Sequence, residues 1–192
     1  MLERIRSFIA FDLSDEKLLD RLVELQRTLL DTGADLKLVE RENLHLTLRF
    51  LGELPPDVTQ AVTAVVQTVT FKPFTIHFRG LGVFPNFHHI NVVWVGVREG
   101  AEEMQALFNQ IEPKLRKLGL RPDQKGFSPH LTIARVKTGK NRERLVEVVQ
   151  SLSDCEVGEV SSGPLKLKMS TLTSKGPQYS TICQKEPNVQ DD

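Results

Sequence analysis

The sequence has 192 residues, of which 40% are hydrophobic and 26% are charged, the composition of a soluble globular protein with enough chain to bury a core. Lysine plus arginine equals aspartate plus glutamate at 25 each, so the net charge is zero, whereas proteins that coat long nucleic acids usually carry a large basic excess. We therefore expect any nucleic acid to be bound locally, for example at an end.

The chain carries no sign of secretion or of a membrane span. Its two cysteines, Cys155 and Cys183, do not have the spacing of a disulfide framework or a metal site, which favours a reducing cytoplasm. No apolar run reaches the roughly 18 residues that a bilayer span needs. The start, MLERIRSFIAFDLSDE, has too short an apolar part and is too acidic after it for a secretory signal. The polar tail, residues 186–192, is expected to fray.

The first half of the chain alternates strand and helix patterns. Apolar periodicity, proline and glycine predict strand, helix, strand, strand, helix and strand at residues 4–13, 15–32, 36–39, 44–52, 55–69 and 74–84. Ser14 stands where the first helix needs an N-cap, and two acidic residues follow it at the positive end of the helix dipole. Gly33 is expected to end that helix.

The second half resumes the same alternation after a turn at residues 85–89. It predicts strand, helix, strand, helix and a closing pair of strands at residues 90–97, 100–119, 130–136, 141–152, 163–174 and 178–184. The stretch INVVWVGV is almost wholly apolar, which predicts a strand buried on both faces. Pro113 lies inside the helix that follows and is expected to kink it or divide it.

The two halves can be aligned without a gap at an offset of 85 residues. Ile5 then falls on Ile90, and the order of strand, helix and strand recurs at the same spacing. We interpret this as an internal duplication within one bilobal domain at residues 1–185, with repeat halves at about 4–84 and 89–170. Two copies related by an approximate two-fold axis would place equivalent strands on opposite walls of one groove.

The tripeptide His-Leu-Thr occurs once in each half, in NLHLTLRFLGE and in SPHLTIARVK, at the offset of the duplication. Side chains alternate along a strand, so His45 shares a face with Thr47, and His130 shares a face with Thr132. Pairing of the halves would set two imidazoles and two hydroxyls against each other. The plain alternative for each copy is a strand histidine satisfied by a neighbour, but the recurrence at the repeat offset favours a paired site.

Such a pair suits in-line displacement at a phosphodiester, which needs a base at the attacking oxygen and an acid at the leaving oxygen. Histidines can supply both, because an ordinary pKa of about 6.5 allows either protonation state at working pH. Threonine hydroxyls can donate to the non-bridging oxygens, and an arginine would add a charge-assisted fork. Arg49 lies four residues after His45, so alternation keeps it on the histidine face, although a surface salt bridge explains it equally well. Arg135 lies five residues after His130 and needs a bulge or a strand end to reach that face.

Four further residues could belong to a site. His77 lies on a strand and is expected at the surface or at the edge of the groove. His88 and His89 lie in a turn without a supporting carboxylate or cysteine cluster of suitable spacing, so no metal is expected. Tyr179 can stack on a base or a ribose, or it can pack beside a strand phenylalanine instead.

The two motifs, with RSFIAFDL near the start and SKGPQY near the end, closely resemble the LigT-like branch of the two-histidine phosphoesterases, over residues 4–179. That family includes bacterial and archaeal RNA 2′,3′-cyclic phosphodiesterases, once named 2′-5′ RNA ligases. The resemblance implies a bilobal α+β fold, in which two antiparallel sheets with outer helices enclose a central groove. It also implies metal-independent hydrolysis of an RNA terminal 2′,3′-cyclic phosphate to a 2′-phosphomonoester.

By this resemblance His45 would be the acid that protonates the leaving 3′ oxygen, His130 the base that activates water, and Arg135 the ligand of the phosphate. We expect RNA ends or small cyclic nucleotides as substrates of a cytoplasmic monomer without a cofactor, a metal or an obligatory protein partner. Two alternatives stay open. One is a nucleotide- or RNA-end-binding module with little turnover, and the other is reversible 2′-5′ RNA ligation by the same site.

Overall fold

A computed structural model describes residues 4–123, 126–174 and 176–188, and in these ranges it contains four α-helices and nine β-strands. The elements in these ranges are, in chain order, β1 (Ile5–Asp12), α1 (Glu16–Leu30), β2 (Leu36–Leu38), β3 (His45–Leu54), α2 (Pro56–Gln67), β4 (Thr75–Asn86), β5 (His89–Val97), α3 (Ala101–Lys117), β6 (His130–Val136), α4 (Arg142–Ser151), β7 (Glu156–Ser161), β8 (Leu165–Thr173) and β9 (Gly176–Lys185). Of the tail predicted to fray, residues 189–192 lie outside the described part.

The strands form two antiparallel sheets, which confirms the predicted α+β class. Sheet A has the order β3-β1-β8-β9, and sheet B has the order β2-β6-β5-β4-β7. The two strands that carry the His-Leu-Thr motifs, β3 and β6, belong to different sheets, yet they approach to within 8 Å between Cα atoms. The two strands that begin with the motifs are therefore neighbours, although they belong to different sheets.

Each sheet combines strands from both halves of the sequence. Sheet A adds β8 and β9 to β1 and β3, and sheet B places β2 and β4 among strands of the second half. The neighbour order β3-β1-β8-β9 in sheet A matches the order β6-β5-β4-β7 in sheet B. In this match β1 corresponds to β5 and β3 to β6, the same correspondence that the sequence offset gives.

The helices cover the outer faces of the sheets and supply much of the core. Helices α1 and α4 contact sheet B, whereas α2 and α3 contact sheet A. Apolar side chains at helical spacing are buried in this way on α1 and α3: Leu18, Leu22, Leu25 and Leu29, and Met104, Leu107, Ile111 and Leu115. Full burial of each such side chain stabilises the fold by about 1.5–3 kcal/mol. None of the helices in the described ranges has the length and hydropathy of a membrane-spanning segment.

Two details of the helices differ from the sequence prediction. The N-cap of α1 is Asp15 instead of Ser14, because the Asp15 carboxylate accepts a hydrogen bond of 2.8 Å from the backbone N–H of Leu18. Helix α3 runs through Pro113 as one element, so of the two predicted outcomes, a kink or a division, the division is wrong. A proline inside a helix costs about 3 kcal/mol, and the buried side chains of α3 on both sides of it outweigh that penalty.

Two details of the strands also differ. β5 is buried on one face only, since Val93 and Val95 are buried while Val92 and Trp94 on the other face are partly exposed. The apolar second face of β5 lies along the groove instead of under another layer. β7 was not predicted, because its glycine and glutamates lower strand propensity, and it forms as an edge strand by pairing with β4.

Candidate active site

His45 and His130 begin β3 and β6, and their rings are held in the same way. Nδ1 of His45 lies 2.6 Å from the carbonyl oxygen of Asn43, and Nδ1 of His130 lies 2.7 Å from that of Ser128. Because a carbonyl oxygen can only accept, each Nδ1 must carry the proton and donate it. Nε2 is then the atom that gains and loses a proton in both rings, which is the arrangement that an acid–base pair requires.

A β-bulge in each histidine strand decides which side chains share the histidine face. In β3 the register with β1 slips between Thr47 and Arg49, so Leu48 is the extra residue. In β6 the register with β5 slips at the equivalent place, and Ile133 is the extra residue. One extra residue shifts the alternation by one, so the position five residues after each histidine returns to the histidine face.

Thr47, Thr132 and Arg135 lie on the faces that carry the histidines. Each threonine is partly exposed, while the residues on either side of it in its strand are buried. Arg135 is exposed, and the bulge in β6 brings it round as the sequence required. Although it belongs to sheet B, it lies close enough to His45 and Tyr179 in sheet A for its positive charge to act on both rings. The guanidinium therefore lies across the groove from those rings.

Arg49 does not share the face of His45, so the prediction from simple alternation is wrong. The bulge turns its side chain towards the core, where only 8% of the residue is exposed. Its Nε lies 2.7 Å from Oε2 of Glu112, and its other guanidinium nitrogens donate to the carbonyls of Phe50 and Arg121. Burial alone would raise the pKa of Glu112, but the hydrogen bond from Arg49 helps to hold it below its ordinary value. Arg49 thus joins β3 to α3 as a structural ion pair.

Phe50 takes the place in β3 that Arg135 takes in β6, and the sequence reasoning missed it. The residue is 58% exposed, and its ring centroid lies 6.1 Å from that of Phe8 on the histidine side of sheet A. An exposed aromatic ring beside a polar groove is a candidate surface for a base or a ribose. The signal that could have found it is the repeat, because the five-residue step from His130 to Arg135 also leads from His45 to Phe50.

Aromatic rings pack against His45. Its ring centroid lies 4.9 Å from that of Phe8 and 5.2 Å from that of Tyr179. The rings of Phe8 and Tyr179 also meet edge to face, with centroids 4.9 Å apart. Tyr179 therefore packs beside a strand phenylalanine, one of the two positions expected for it, and this position also places it against the histidine.

A second aromatic group packs against His130. The centroids of Phe84 and Trp94 lie 4.9 Å and 6.3 Å from that of His130. The indole of Trp94 lies over Gly82, where a Cβ would come within 2.2 Å of the ring. Glycine is required there because any side chain would displace the indole from its place beside the histidine.

Burial lowers the pKa of both histidines below the ordinary value of 6.5. For His45 the hydrogen bond to the Asn43 carbonyl opposes this effect, and the positive charge of Lys168 adds to it. For His130 the hydrogen bond to the Ser128 carbonyl opposes it. At neutral pH both rings are therefore mainly uncharged in the free protein, and an anionic phosphate between them would favour their protonation.

The remaining histidines lie outside this constellation. Nε2 of His77 lies 2.7 Å from a carboxylate oxygen of Glu156, at the edge of sheet B formed by β7. His88 and His89 are exposed at the turn between β4 and β5. In the part of the chain that the structure describes, no group of three or more histidine, cysteine, aspartate or glutamate side chains is placed to hold a metal ion.

Known proteins with similar sequences fall into one group. A family model described as the 2′-5′ RNA ligase superfamily matches residues 14–161. An RNA 2′,3′-cyclic phosphodiesterase of Aeropyrum pernix is 40% identical over 162 residues, which are 84% of this chain and 92% of the relative. One of Methanothermobacter thermautotrophicus is 40% identical over 181 residues, 93% of this chain and 97% of the relative.

Solved structures show the same fold. Escherichia coli LigT complexed with 3′-AMP matches with a TM-score of 0.79 over 97% of this chain and 100% of that chain, at 20% identity. A protein of Thermus thermophilus matches with a TM-score of 0.75 over 94% of this chain and 97% of that chain, at 27% identity. The family match over most of the chain, together with relatives that are 40% identical, shows that this protein belongs to the 2′-5′ RNA ligase superfamily.

Proposed function

We propose that this protein hydrolyses the terminal 2′,3′-cyclic phosphate of RNA to a 2′-phosphomonoester. The observation that carries the proposal is the matched anchoring of His45 and His130 on two neighbouring strands, each with Nδ1 bound to a backbone carbonyl. Two such rings offer a pair of Nε2 atoms to one substrate. The similarity to proteins named RNA 2′,3′-cyclic phosphodiesterases supports the same reaction.

The two histidines take opposite roles in an in-line displacement. Nε2 of His130 accepts a proton from a water molecule as the water oxygen forms its bond to phosphorus. The bond from phosphorus to the 3′ oxygen breaks on the far side, and Nε2 of His45 gives its proton to that oxygen. The phosphate stays on the 2′ oxygen. Each proton transfer typically contributes ~10²–10⁴-fold to the rate.

Three further side chains stabilise the charge that builds on the non-bridging oxygens. Thr47 and Thr132 each lie two residues after a histidine and donate their hydroxyl hydrogens. Arg135 lies across the groove from His45 and forms charge-assisted hydrogen bonds with the phosphate. Because these donors belong to both sheets, the charge is neutralised from two sides.

Phe50 gives the nucleoside a surface on the His45 side. Its ring is exposed and lies beside Phe8, on the strand whose histidine protonates the nucleoside oxygen. Stacking of a base on an aromatic ring is worth about 1–3 kcal/mol and tolerates any base. Contact with a single base at an RNA end also agrees with the local binding expected for a chain whose net charge is zero.

The proposal includes a cytoplasmic monomer that needs no cofactor and no protein partner. Cys155 and Cys183 are free thiols, which supports a reducing compartment. Sedimentation analysis of the active protein tests the monomer, and a second sedimenting species that alone carries the activity would contradict it.

The deciding experiment is product analysis by phosphorus NMR on an oligonucleotide that ends in a 2′,3′-cyclic phosphate. Hydrolysis converts the cyclic resonance into that of a 2′-phosphomonoester, and a chelator leaves the rate unchanged. An unchanged cyclic resonance identifies a binding module, and a new diester resonance with a 5′-hydroxyl acceptor identifies ligation. Loss of activity in chelator, restored by zinc or manganese, would place the site in the metal class.

A further inference from the structure

Asp12, Lys166 and Lys168 form a charged cluster beside His45. Asp12 pairs with His45 in the β1–β3 ladder, and both lysines lie on β8, the other neighbour of β1. Nζ of Lys166 lies 2.9 Å from Oδ2 of Asp12, and Nζ of Lys168 donates to Oδ1 of the same carboxylate. One carboxylate thus holds two ammonium groups, and the cluster keeps a net positive charge.

Lys168 is the buried member of this cluster. Only 7% of the residue is exposed, although lysine is rarely buried unless it is paired. Its Nζ lies 5.9 Å from the centroid of the Tyr179 ring, and that ring lies 5.2 Å from the ring of His45. Lys168 and His45 therefore both neighbour the Tyr179 ring, and the proposed reaction does not use the charge of Lys168.

Stability alone does not explain this arrangement. Well-packed hydrophobic residues in place of a buried ion pair often stabilise a fold equally well or better, so a buried pair is weak evidence for a stabilising role. The position of the cluster, with Asp12 paired to His45 and Lys168 close to the Tyr179 ring, points to the histidine instead.

We propose that Lys168, held in place by Asp12, is a positioning residue for proton donation by His45, an inference that rests on the proposed function. The ammonium group opposes the charged imidazolium, which makes the imidazolium a stronger acid towards the leaving oxygen. The Asp12 carboxylate favours the imidazolium and so limits the effect of the ammonium group on His45. His45 can therefore still take up a proton when substrate binds.

Charged groups on several strands enter this balance. The charged and titratable side chains near it come from β1, β8, β9 and, across the groove, β6: Asp12, Lys166, Lys168, Tyr179 and Arg135. Burial lowers the pKa of His45 most, and the hydrogen bond to the Asn43 carbonyl opposes it. Among the charges, Lys168 and Arg135 lower this pKa further, and Asp12 raises it. Burial raises the pKa of the Tyr179 phenol, so this group stays neutral at working pH.

Titration of His45 by NMR in the free protein tests the electrostatic part without any need for activity. Lys168→Met should raise the pKa of His45 and Asp12→Asn should lower it, each by roughly half a unit or more. Lys168→Arg keeps the charge and should restore the native value. His45→Asn identifies the resonance. Shifts in the same direction, or no shift, would overturn the proposal.

Lys166→Met is the matched control. Like Lys168→Met, it removes one ammonium partner of the Asp12 carboxylate. The ring contact with Tyr179, however, belongs to Lys168. It should move the pKa of His45 by less than half of the Lys168→Met shift. An equal shift would show that the position of Lys168 has no special meaning. If Lys168→Met does not fold, Lys168→Gln replaces it in the same comparison.

The pH profile of kcat/KM on a cyclic mononucleotide connects this titration to the reaction. The alkaline limb, which reports loss of the His45 proton, should move to higher pH in Lys168→Met and to lower pH in Asp12→Asn. A raised KM with an unmoved limb would make Lys168 a substrate ligand and overturn the proposal. One further outcome is a native protein that fails to hydrolyse the substrate, while Lys168→Met and Asp12→Asn still shift the pKa of His45 in opposite directions. That result would refute the proposed hydrolysis but not the electrostatic coupling of Lys168 and Asp12 to His45.

Discussion

Phe50 and Arg135 occupy the same place on the two histidine strands, five residues after His45 and His130 and just beyond matching bulges. One strand presents an exposed aromatic ring there, and the other presents a guanidinium. The two walls of the groove therefore offer different chemistry at equivalent positions. Strands with matching neighbours thus carry different side chains, an arrangement suited to a substrate with a nucleoside on one side and a charged phosphate on the other.

The histidine pair gives the first prediction. His45→Ala and His130→Ala should each lower turnover by ~10²–10⁴-fold, because each removes one proton transfer. Initial rates on an RNA with a cyclic phosphate end, together with circular dichroism of the folded variants, measure the effect. His77→Ala is the control, since His77 lies at the edge of sheet B with Glu156, and it should keep full activity. Full activity in both motif variants would refute the assignment.

Arg135 should matter for activity and not for stability. Arg135→Ala removes an exposed side chain, so the free energy of unfolding should change by less than ~0.5 kcal/mol. Turnover should fall by ~10²-fold or more, as it does when a preorganised donor to a developing charge is lost. Urea unfolding checks the expected stability, and steady-state kinetics on the same preparation check the expected loss of turnover. An active Arg135→Ala would remove this residue from the site.

Arg49 should behave in the opposite way. Arg49→Ala removes the shorter of the two ion pairs of the buried Glu112 carboxylate and leaves the longer one, at 3.3 Å, with Arg116. Breaking a buried pair costs about 3–5 kcal/mol of stability. Below the midpoint of urea unfolding, kcat per folded molecule should stay near the native value. The double variant Arg49→Met with Glu112→Leu removes both charges and should recover much of the loss. A stable Arg49→Ala with low kcat would return this arginine to the active site.

Phe50 should act on substrate binding. Phe50→Ala should raise KM by about 5- to 150-fold, which corresponds to the loss of ~1–3 kcal/mol of stacking per base. The unfolding free energy should barely change, because more than half of the residue is exposed. Phe50→Tyr keeps an aromatic face and serves as the control with a near-native KM. A KM unchanged in Phe50→Ala would show that the base lies elsewhere.

The pH dependence follows from the histidine environments. His130 must be neutral to act as the base, so kcat/KM falls as pH drops through its pKa. His45 must be protonated to act as the acid, so kcat/KM falls as pH rises through its pKa. Both pKa values lie below 6.5 in the free protein, so the maximum of kcat/KM should lie on the acid side of neutrality. A maximum above pH 7.5, with chemistry rate-limiting, would contradict the assignment.

The strand positions of the two histidines and most of the fold could be predicted from the sequence, because they depend on local periodicity and on the recurrence of the His-Leu-Thr tripeptide. His45, Thr47, His130 and Thr132 need only the alternation of side chains within the first three residues of each strand. The α+β class needs only the order of helix and strand patterns, which survives errors at element ends.

The arginines show where sequence reasoning stops. A bulge is a property of a pair of strands, and nothing in the residues of β3 alone reveals that Leu48 is the extra one. That single slip separates Arg49, which is buried with Glu112, from Phe50, which reaches the groove. For the same reason β7 was missed, since this edge strand is specified more by its partner β4 than by its own side chains.

The exchange of strands between the two halves has a consequence for any attempt to divide the molecule. A break in the turn between β5 and α3 would yield one fragment with β1 to β5 and another with β6 to β9. Neither fragment would own a complete sheet, and each would hold one of the two motif histidines. Neither fragment alone would then be active, and activity would require the two fragments to associate. Recovery of activity on mixing them would measure that association.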